Sequence, residues 1–173
     1  MNKRNAVLDA SFWINAHRSG VADYLPDYFN LFVPTQVIQE IEYTPPDVDQ
    51  LTSAGESFRS WRQAGQFKCQ DPVRPVDWFH AGENAAIGLA QEQGYVLLID
   101  DQAPYHLAKA RGLRAIASVD FIVLLYADNR LSYDEARARL AKSGPASHLK
   151  RAATIALAVL ARQRGDRDVN LVF

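Results

Sequence analysis

Residues 82–101 read GENAAIGLAQEQGYVLLIDD, and they are the most informative stretch of the chain. The first half carries apolar side chains at spacings of one, three and four residues, as one face of a helix requires. Gly94 ends the predicted helix, because glycine adopts the left-handed conformation of a helix C-cap without strain. Residues 95–99 are continuously apolar, which is typical of a strand buried on both faces of a parallel sheet. The stretch therefore predicts a helix followed by a central strand.

Two adjacent aspartates, Asp100 and Asp101, follow that strand directly. In open α/β sheets, ligands bind just outside the carboxyl ends of the strands. Glu83, at the start of the preceding helix, is a third carboxylate within reach of the same sheet edge. The pattern indicates part of a cation site, for which the rest of the chain must supply partners.

Strands and helices alternate along the chain, which favours a three-layer α/β/α domain with a central twisted parallel sheet. Ser11 and Ser118 are predicted to be the N-caps of two of the helices. Further strands are predicted at residues 4–9, 31–33, 67–70 and 114–117, and further helices at 36–43, 48–64, 103–111, 132–142 and 146–164. We expect residues 1–129 to form the sheet domain and residues 130–173 to be a C-terminal helical extension packed on it.

The composition agrees with a single domain that has no membrane-spanning segment. The chain has 173 residues, of which 48% are hydrophobic, and it contains one cysteine, Cys69. A single cysteine excludes an intrachain disulfide and a CxxC zinc site, and it fits a reducing compartment. The most apolar stretch, residues 152–161, is well short of the roughly 20 residues that span a bilayer. We therefore expect a soluble cytoplasmic protein.

Charge is distributed unevenly along the chain. Residues 1–129 carry 16 acidic and 10 basic side chains, whereas residues 130–173 carry 4 acidic and 9 basic ones. This asymmetry is compatible with an acidic site beside a basic surface for a polyanion. It is equally compatible with arginine-rich helix faces that are simply solvated.

Carboxylates also stand at other predicted strand ends and on other helices, namely Asp9, Glu40 and Asp120. Right-handed crossovers place the carboxyl ends of parallel strands at one edge of the sheet, so Asp9 is expected near Asp100 and Asp101. Converging carboxylates repel one another unless a cation lies between them. Hard divalent ions such as Mg²⁺ prefer oxygen ligands and can activate water at a phosphodiester. The sequence therefore predicts a divalent cation and phosphoester chemistry.

The chain resembles the PIN-domain ribonuclease family, in particular its prokaryotic branch of VapC-type toxins. The resemblance covers residues 5–127. It implies a nuclease that uses Mg²⁺ or Mn²⁺ to cut an RNA substrate, with an antitoxin protein and a second copy of the chain as candidate partners. Four motifs carry it: VLDASFWIN at 7–15, VPTQVIQEI at 33–41, GENAAIGLA at 82–90 and LLIDDQAPYHLAKARGL at 97–113.

The resemblance also implies roles for individual residues. Asp9 matches the first metal ligand, with Ser11 beside it as a supporting polar group. Glu40 matches the second acidic position of the family, and Glu83 matches the third, in the Gly-Glu pair that opens its helix. The catalytic set implied in this way consists of Asp9, Glu40, Glu83 and Asp101.

The fourth acidic position falls on the pair Asp100 and Asp101. Ile99 stands where the family often has a threonine, which makes Asp101 the closer equivalent, and both aspartates are expected to contribute to metal binding. Asp120 is a minor candidate, because its place in the first turn of a helix is sufficient to explain it. The chain also lacks the arginine that commonly follows the aspartate pair, since Ala103-Pro104-Tyr105 stands there.

Each carboxylate also has an ordinary interpretation as a helix cap or a solvated side chain. A catalytically inactive PIN-like domain that binds RNA or a partner protein is therefore the main alternative function, and a phosphatase acting on small molecules is a third. The four histidines show no ligand spacing and are expected at the surface or in packing; they are His17, His80, His106 and His148.

Overall fold

A computed structural model of the chain describes residues 3–43, 52–144 and 147–166. A five-stranded sheet lies at its centre, with strand order β3-β2-β1-β4-β5 and every neighbouring pair parallel. The prediction of an α/β fold with a central parallel sheet is therefore confirmed. The strands are β1 (Arg4–Leu8), β2 (Phe29–Val33), β3 (Phe67–Cys69), β4 (Val96–Leu98) and β5 (Ala115–Ile116).

Helices follow the strands in the order that the sequence predicts. A 3₁₀ turn at Ala22–Tyr24 precedes the short second helix. Within the described residues the helices are α1 (Ala10–Ser19), α2 (Leu25–Tyr28), α3 (Thr35–Ile41), α4 (Ser53–Gln63), α5 (Ala81–Gln93), α6 (Gln102–Ala110), α7 (Ser118–Ala127), α8 (Tyr133–Lys142) and α9 (Ser147–Arg164). The predicted start of the fourth helix at residue 48 and that of the last helix at 146 lie outside the described residues.

The two middle strands, β1 and β4, form the centre of the core. Leu8 pairs with Leu98 across the parallel ladder, and neither side chain is exposed to solvent. Removing one such leucine side chain from water contributes about 1.5–3 kcal/mol to folding. Because both strands are apolar on both faces, they require helices on each side of the sheet. Because β1 and β4 pair in parallel, their carboxyl ends lie next to each other.

The predicted N-caps at Ser11 and Ser118 are wrong by one or two residues. Asp9 caps α1, and its side chain accepts a hydrogen bond from the Ser11 amide. Ala117 is the cap residue of α7, so Ser118 is the first helical residue. The reason is that each serine hydroxyl donates to a neighbouring aspartate, Ser11 to Asp9 and Ser118 to Asp100, instead of capping its own helix.

Helices α8 and α9 pack on α7, and α8 also contacts α1. The guanidinium of Arg139 on α8 donates to the carbonyl oxygens of Ser19 and Gly20, where α1 ends. The inner side of α9 is a buried stripe at four-residue spacing, made of Leu149, Ala153, Leu157 and Ala161. None of the helices in the described part of the chain is long and apolar enough to cross a membrane.

Candidate active site

Asp9 lies at the carboxyl end of β1, where its amide donates to Leu98 of β4 at 3.0 Å. Its side chain is almost completely buried. Oδ2 accepts hydrogen bonds from the amide of Ser11 at 2.9 Å and from the Ser11 hydroxyl at 2.5 Å. Oδ1 is also buried, and it has no hydrogen-bond partner. Asp9 therefore presents one unsatisfied carboxylate oxygen at the sheet edge.

The pKa of Asp9 is raised from 3.8 to about 7. Burial is the largest cause, since it disfavours the charged form, and the negative charges of Asp101 and Glu83 act in the same direction. The two hydrogen bonds from Ser11 oppose the shift. The direction of the shift shows that, in the absence of a cation, the fold disfavours the ionised form of Asp9.

Glu83 and Asp101 lie beside Asp9. Glu83 is the third residue of α5, and its carboxylate accepts a hydrogen bond from the His80 amide at 3.0 Å. Burial, followed by a hydrogen bond to the side chain of Asp101, raises the pKa of Glu83. We call Asp9, Glu83 and Asp101 the acidic cluster.

The hydroxyl of Ser11 connects the ends of β1 and β4. It donates to Asp9, and it accepts from the amides of Asp100 at 3.0 Å and Asp101 at 3.3 Å. One proton and two lone pairs are all that a serine hydroxyl offers, so this group is fully used. Ser11 thereby fixes the backbone from which Asp101 projects.

Asp100 is buried beside the acidic cluster and is bound by Ser118. Its two oxygens accept hydrogen bonds from the amide and the hydroxyl of Ser118, both at 2.6 Å, and only 2% of the residue is exposed. Burial raises its pKa to about 6, while the hydrogen bonds from Ser118 and from the side chain of Asn15 oppose this effect. Asp100 therefore joins the end of β4 to the start of α7.

Glu40 lies near the end of α3 and contacts the start of α5. Its Oε1 accepts a hydrogen bond from the amide of Gly82 at 2.9 Å. A Cβ atom at position 82 would overlap with the Glu40 carboxylate, so this approach requires glycine. A carboxylate at a helix N-terminus is stabilised by the helix dipole. Glu40 is thus close to Glu83, but its carboxylate binds the backbone of α5 and not the Glu83 side chain.

Asp120, the minor candidate, binds the first turn of its own helix. Its carboxylate accepts from the amide of Ala117 at 3.0 Å and from the hydroxyl of Tyr105 at 3.2 Å. These two contacts are sufficient to explain why an aspartate stands at position 120. They also tie α6 to α7 beside the sheet edge.

Comparison with known proteins identifies the family. A sequence profile described as a PIN domain, DUF3368, matches residues 5–163. The chain belongs to the PIN-domain family. Among solved structures, it is similar to a PilT N-terminus domain protein from the hyperthermophilic archaeon Sulfolobus solfataricus P2, with 16% sequence identity and a TM-score of 0.40 over 65% of this chain and 86% of that one. No curated protein gives a significant sequence match.

Three further polar side chains hold the elements around the acidic cluster, and they were not predicted. Asn84 holds the preceding loop on α5: its Oδ1 accepts from the amides of Trp78 and Phe79 at 3.0 and 2.8 Å. Asp71 binds the amide and hydroxyl of Thr35, both at 2.7 Å, and so caps α3 from a distant loop. Asn15 supports Asp100.

The sequence does contain a signal for two of these residues. Asn15 and Asn84 interrupt the apolar faces of their helices, and a buried polar side chain requires a partner. Asp71 gives no such signal, because its partner is 36 residues away in the chain.

Three raised pKa values predict how the stability of the metal-free PIN domain depends on pH. Asp9, Asp100 and Glu83 all bind a proton more tightly in the folded state than in the unfolded state. The stability that they contribute is complete below their unfolded pKa values and is lost as the pH rises through the folded ones. Asp9 alone accounts for at most about 4 kcal/mol of this change.

We therefore expect the free energy of unfolding in EDTA to fall as the pH is raised from about 4 to about 7. Urea titrations at half-unit pH intervals measure it. The same titrations with Mn²⁺ present should show a smaller fall, because a bound cation compensates the carboxylates when they ionise. A metal-free stability that rises over this range would contradict the prediction.

Proposed function

We propose that this PIN domain is a metal-dependent endoribonuclease that hydrolyses RNA phosphodiester bonds with Mg²⁺ or Mn²⁺. PIN domains are commonly nucleases, and the family membership makes a phosphodiester the natural substrate. The observation that carries the proposal is Oδ1 of Asp9, a buried carboxylate oxygen without a partner beside two further carboxylates. A buried carboxylate oxygen without a partner is costly in a folded protein unless it binds a cation or a proton.

The residues that would hold the cation are those of the acidic cluster. Within residues 3–43, 52–144 and 147–166, no three or more histidine, cysteine, aspartate or glutamate side chains are already arranged as a metal-binding group. The fit therefore rests on the donor chemistry: Asp9 offers a buried oxygen without a partner, and the carboxylates of Glu83 and Asp101 lie beside it. Carboxylate oxygens are the ligands that Mg²⁺ and Mn²⁺ prefer.

When bound, a divalent ion supplies a Lewis acid that activates water and stabilises charge on the phosphorus oxygens. The protein contributes the positions of the carboxylates. Ser11 holds Asp9 and the backbone of Asp101 in one arrangement. Asp100 and Glu40 fix the starts of α7 and α5, which border the site. We propose that Asp9, Glu83 and Asp101 bind the cation. Asp100 and Glu40 instead hold the helices that border it.

The resemblance to VapC-type toxins also suggests a cellular role and partners for the nuclease. It favours a cytoplasmic toxin that is restrained by a cognate antitoxin protein and that forms a homodimer. A small DNA-binding protein encoded by the adjacent reading frame would support this part. If the chain cleaves RNA but no such neighbour is encoded, the nuclease proposal stands and the toxin proposal is wrong.

The experiment that tests the function is RNA cleavage by the purified chain. We expect endonucleolytic products with Mn²⁺ or Mg²⁺ and none after chelation with EDTA, with activity returning when excess Mn²⁺ is restored. Products that persist in EDTA would contradict a metal mechanism. A generic phosphoester serves as the second substrate, and its turnover in place of RNA would point to a phosphatase.

The second candidate is a PIN domain that binds RNA or a protein without cutting. It is favoured by the contacts of Asp100 and Glu40, which are engaged with Ser118 and Gly82 instead of the acidic cluster. RNA retained in a gel-shift assay, with no products at any Mn²⁺ concentration, would select this alternative.

A further inference from the structure

Two histidines that are distant in sequence meet on the surface of the folded chain. His106 lies on α6 and His148 on α9, and their Nε2 atoms are 2.9 Å apart. The ring planes are inclined by 23°, and the ring centroids are 5.1 Å apart. Because the centroids are much farther apart than the nitrogens, the rings meet edge to edge through Nε2 and are not stacked face to face. No sequence spacing predicts this contact, since 42 residues separate the pair.

The contact shows that one proton is shared between two nitrogens. One imidazole must donate an Nε2–H while the other presents an Nε2 lone pair. A metal ion can take the place of that proton when the two exposed rings turn, because metal–nitrogen bonds of about 2.0–2.1 Å leave the nitrogens at adjacent coordination positions roughly 3 Å apart. Neutral imidazole suits Zn²⁺, Cu²⁺ and Ni²⁺, whereas Mg²⁺ and Mn²⁺ are bound preferentially by oxygen ligands. Both histidines are exposed, so water can complete the coordination of an ion at this place.

We propose that His106 and His148 form a second metal site, which takes a transition-metal ion of the Zn²⁺, Ni²⁺ or Cu²⁺ class. The site differs from the acidic cluster in ligand type and in the elements that supply it. An ion bound there links α9 directly to α6, the helix that begins immediately after Asp101. A bound ion would therefore connect α9 to α6, which borders the candidate active site. The proposal does not depend on the nuclease function.

Paired ligands predict a specific pattern of affinities. Once one imidazole has bound the ion, the second binds it intramolecularly at a high effective concentration. Removing either histidine should therefore weaken binding by at least about tenfold. If the two histidines instead bound metal independently, removing one would lower the number of bound ions by about half and leave the affinity of the other unchanged.

The experiment is calorimetric titration of the full-length, tag-free chain with Ni²⁺ at pH 7.5, after metal has been stripped. It is performed in the Asp9→Asn background, which weakens the acidic cluster. We expect one equivalent to bind, and we expect His106→Gln and His148→Gln each to reduce the affinity by at least about tenfold. His17→Gln is the matched control and should leave it unchanged, because His17 packs beside Trp13 on another part of the surface.

Electron paramagnetic resonance of the Asp9→Asn chain with one equivalent of Cu²⁺ identifies the ligand atoms directly. Hyperfine coupling to two imidazole nitrogens is the expected spectrum. A spectrum with oxygen ligands alone, or with a single nitrogen, would overturn the proposal. So would calorimetric affinities that are the same in the two histidine variants and in the His17→Gln control. Neither result would bear on RNA cleavage, which is measured separately.

Discussion

Asp9→Asn is expected to abolish RNA cleavage and, at the same time, to make the metal-free protein more stable at pH 7.5. The ionised carboxylate is buried with one oxygen unpartnered, and its pKa is raised from 3.8 to about 7. Asparagine keeps an oxygen for the hydrogen bonds from Ser11 and removes the charge. Its amide group can donate to Glu83 or Asp101, which are both acceptors. We expect a gain of about 1–3 kcal/mol.

A gain of that size corresponds to a rise of roughly 2–12 °C in the midpoint of thermal unfolding, measured in EDTA. The same variant should show no Mn²⁺-dependent products in the RNA assay. Asp23→Asn is the matched control, because Asp23 is exposed and lies outside the acidic cluster, and it should change neither quantity. A destabilised Asp9→Asn protein would show that the carboxylate serves mainly as the cap of α1. Undiminished cleavage would remove Asp9 from the catalytic set.

The parts of the fold that the sequence predicts are those determined by local pattern. The continuous apolar run at residues 95–99, between Gly94 and Asp100, predicts a strand buried on both faces from local pattern alone. The proximity of Asp9 and Asp101 also follows from the sequence, since parallel strands joined by right-handed crossovers end at one edge. In the structure the ladder between β1 and β4 provides this proximity.

The parts that could not be predicted depend on which partner each side chain finds. Asp100 and Asp101 are adjacent in sequence, yet one is buried against Ser118 and the other is exposed beside Glu83. The difference arises because Ile99 continues the ladder to β5, with its amide donating to Ile116 at 3.1 Å. That pairing brings position 100 next to Ser118. Sequence reasoning alone left the choice between the two aspartates open.

The separation of Asp100 from Asp101 leads to the second large expected effect. Asp101→Asn should reduce metal-dependent cleavage by at least about 100-fold, whereas Asp100→Asn should reduce it by no more than about tenfold. The reason is that asparagine at position 100 keeps an acceptor for the Ser118 amide, and its NH₂ group can donate to the Ser118 hydroxyl. Asparagine at position 101 can still donate to Glu83, but it no longer offers a charged oxygen to a cation.

Stability should show the opposite order. Asp100→Ala leaves the buried amide of Ser118 without an acceptor, so it should be less stable than Asp100→Asn by about 1–3 kcal/mol. Asp101→Ala and Asp101→Asn should differ by less than about 0.5 kcal/mol, because position 101 is exposed. Urea unfolding of the four variants in EDTA measures both differences. If Asp100→Asn lost cleavage as completely as Asp101→Asn while remaining folded, Asp100 would be a cation ligand, and its contact with Ser118 would have to open when the ion binds.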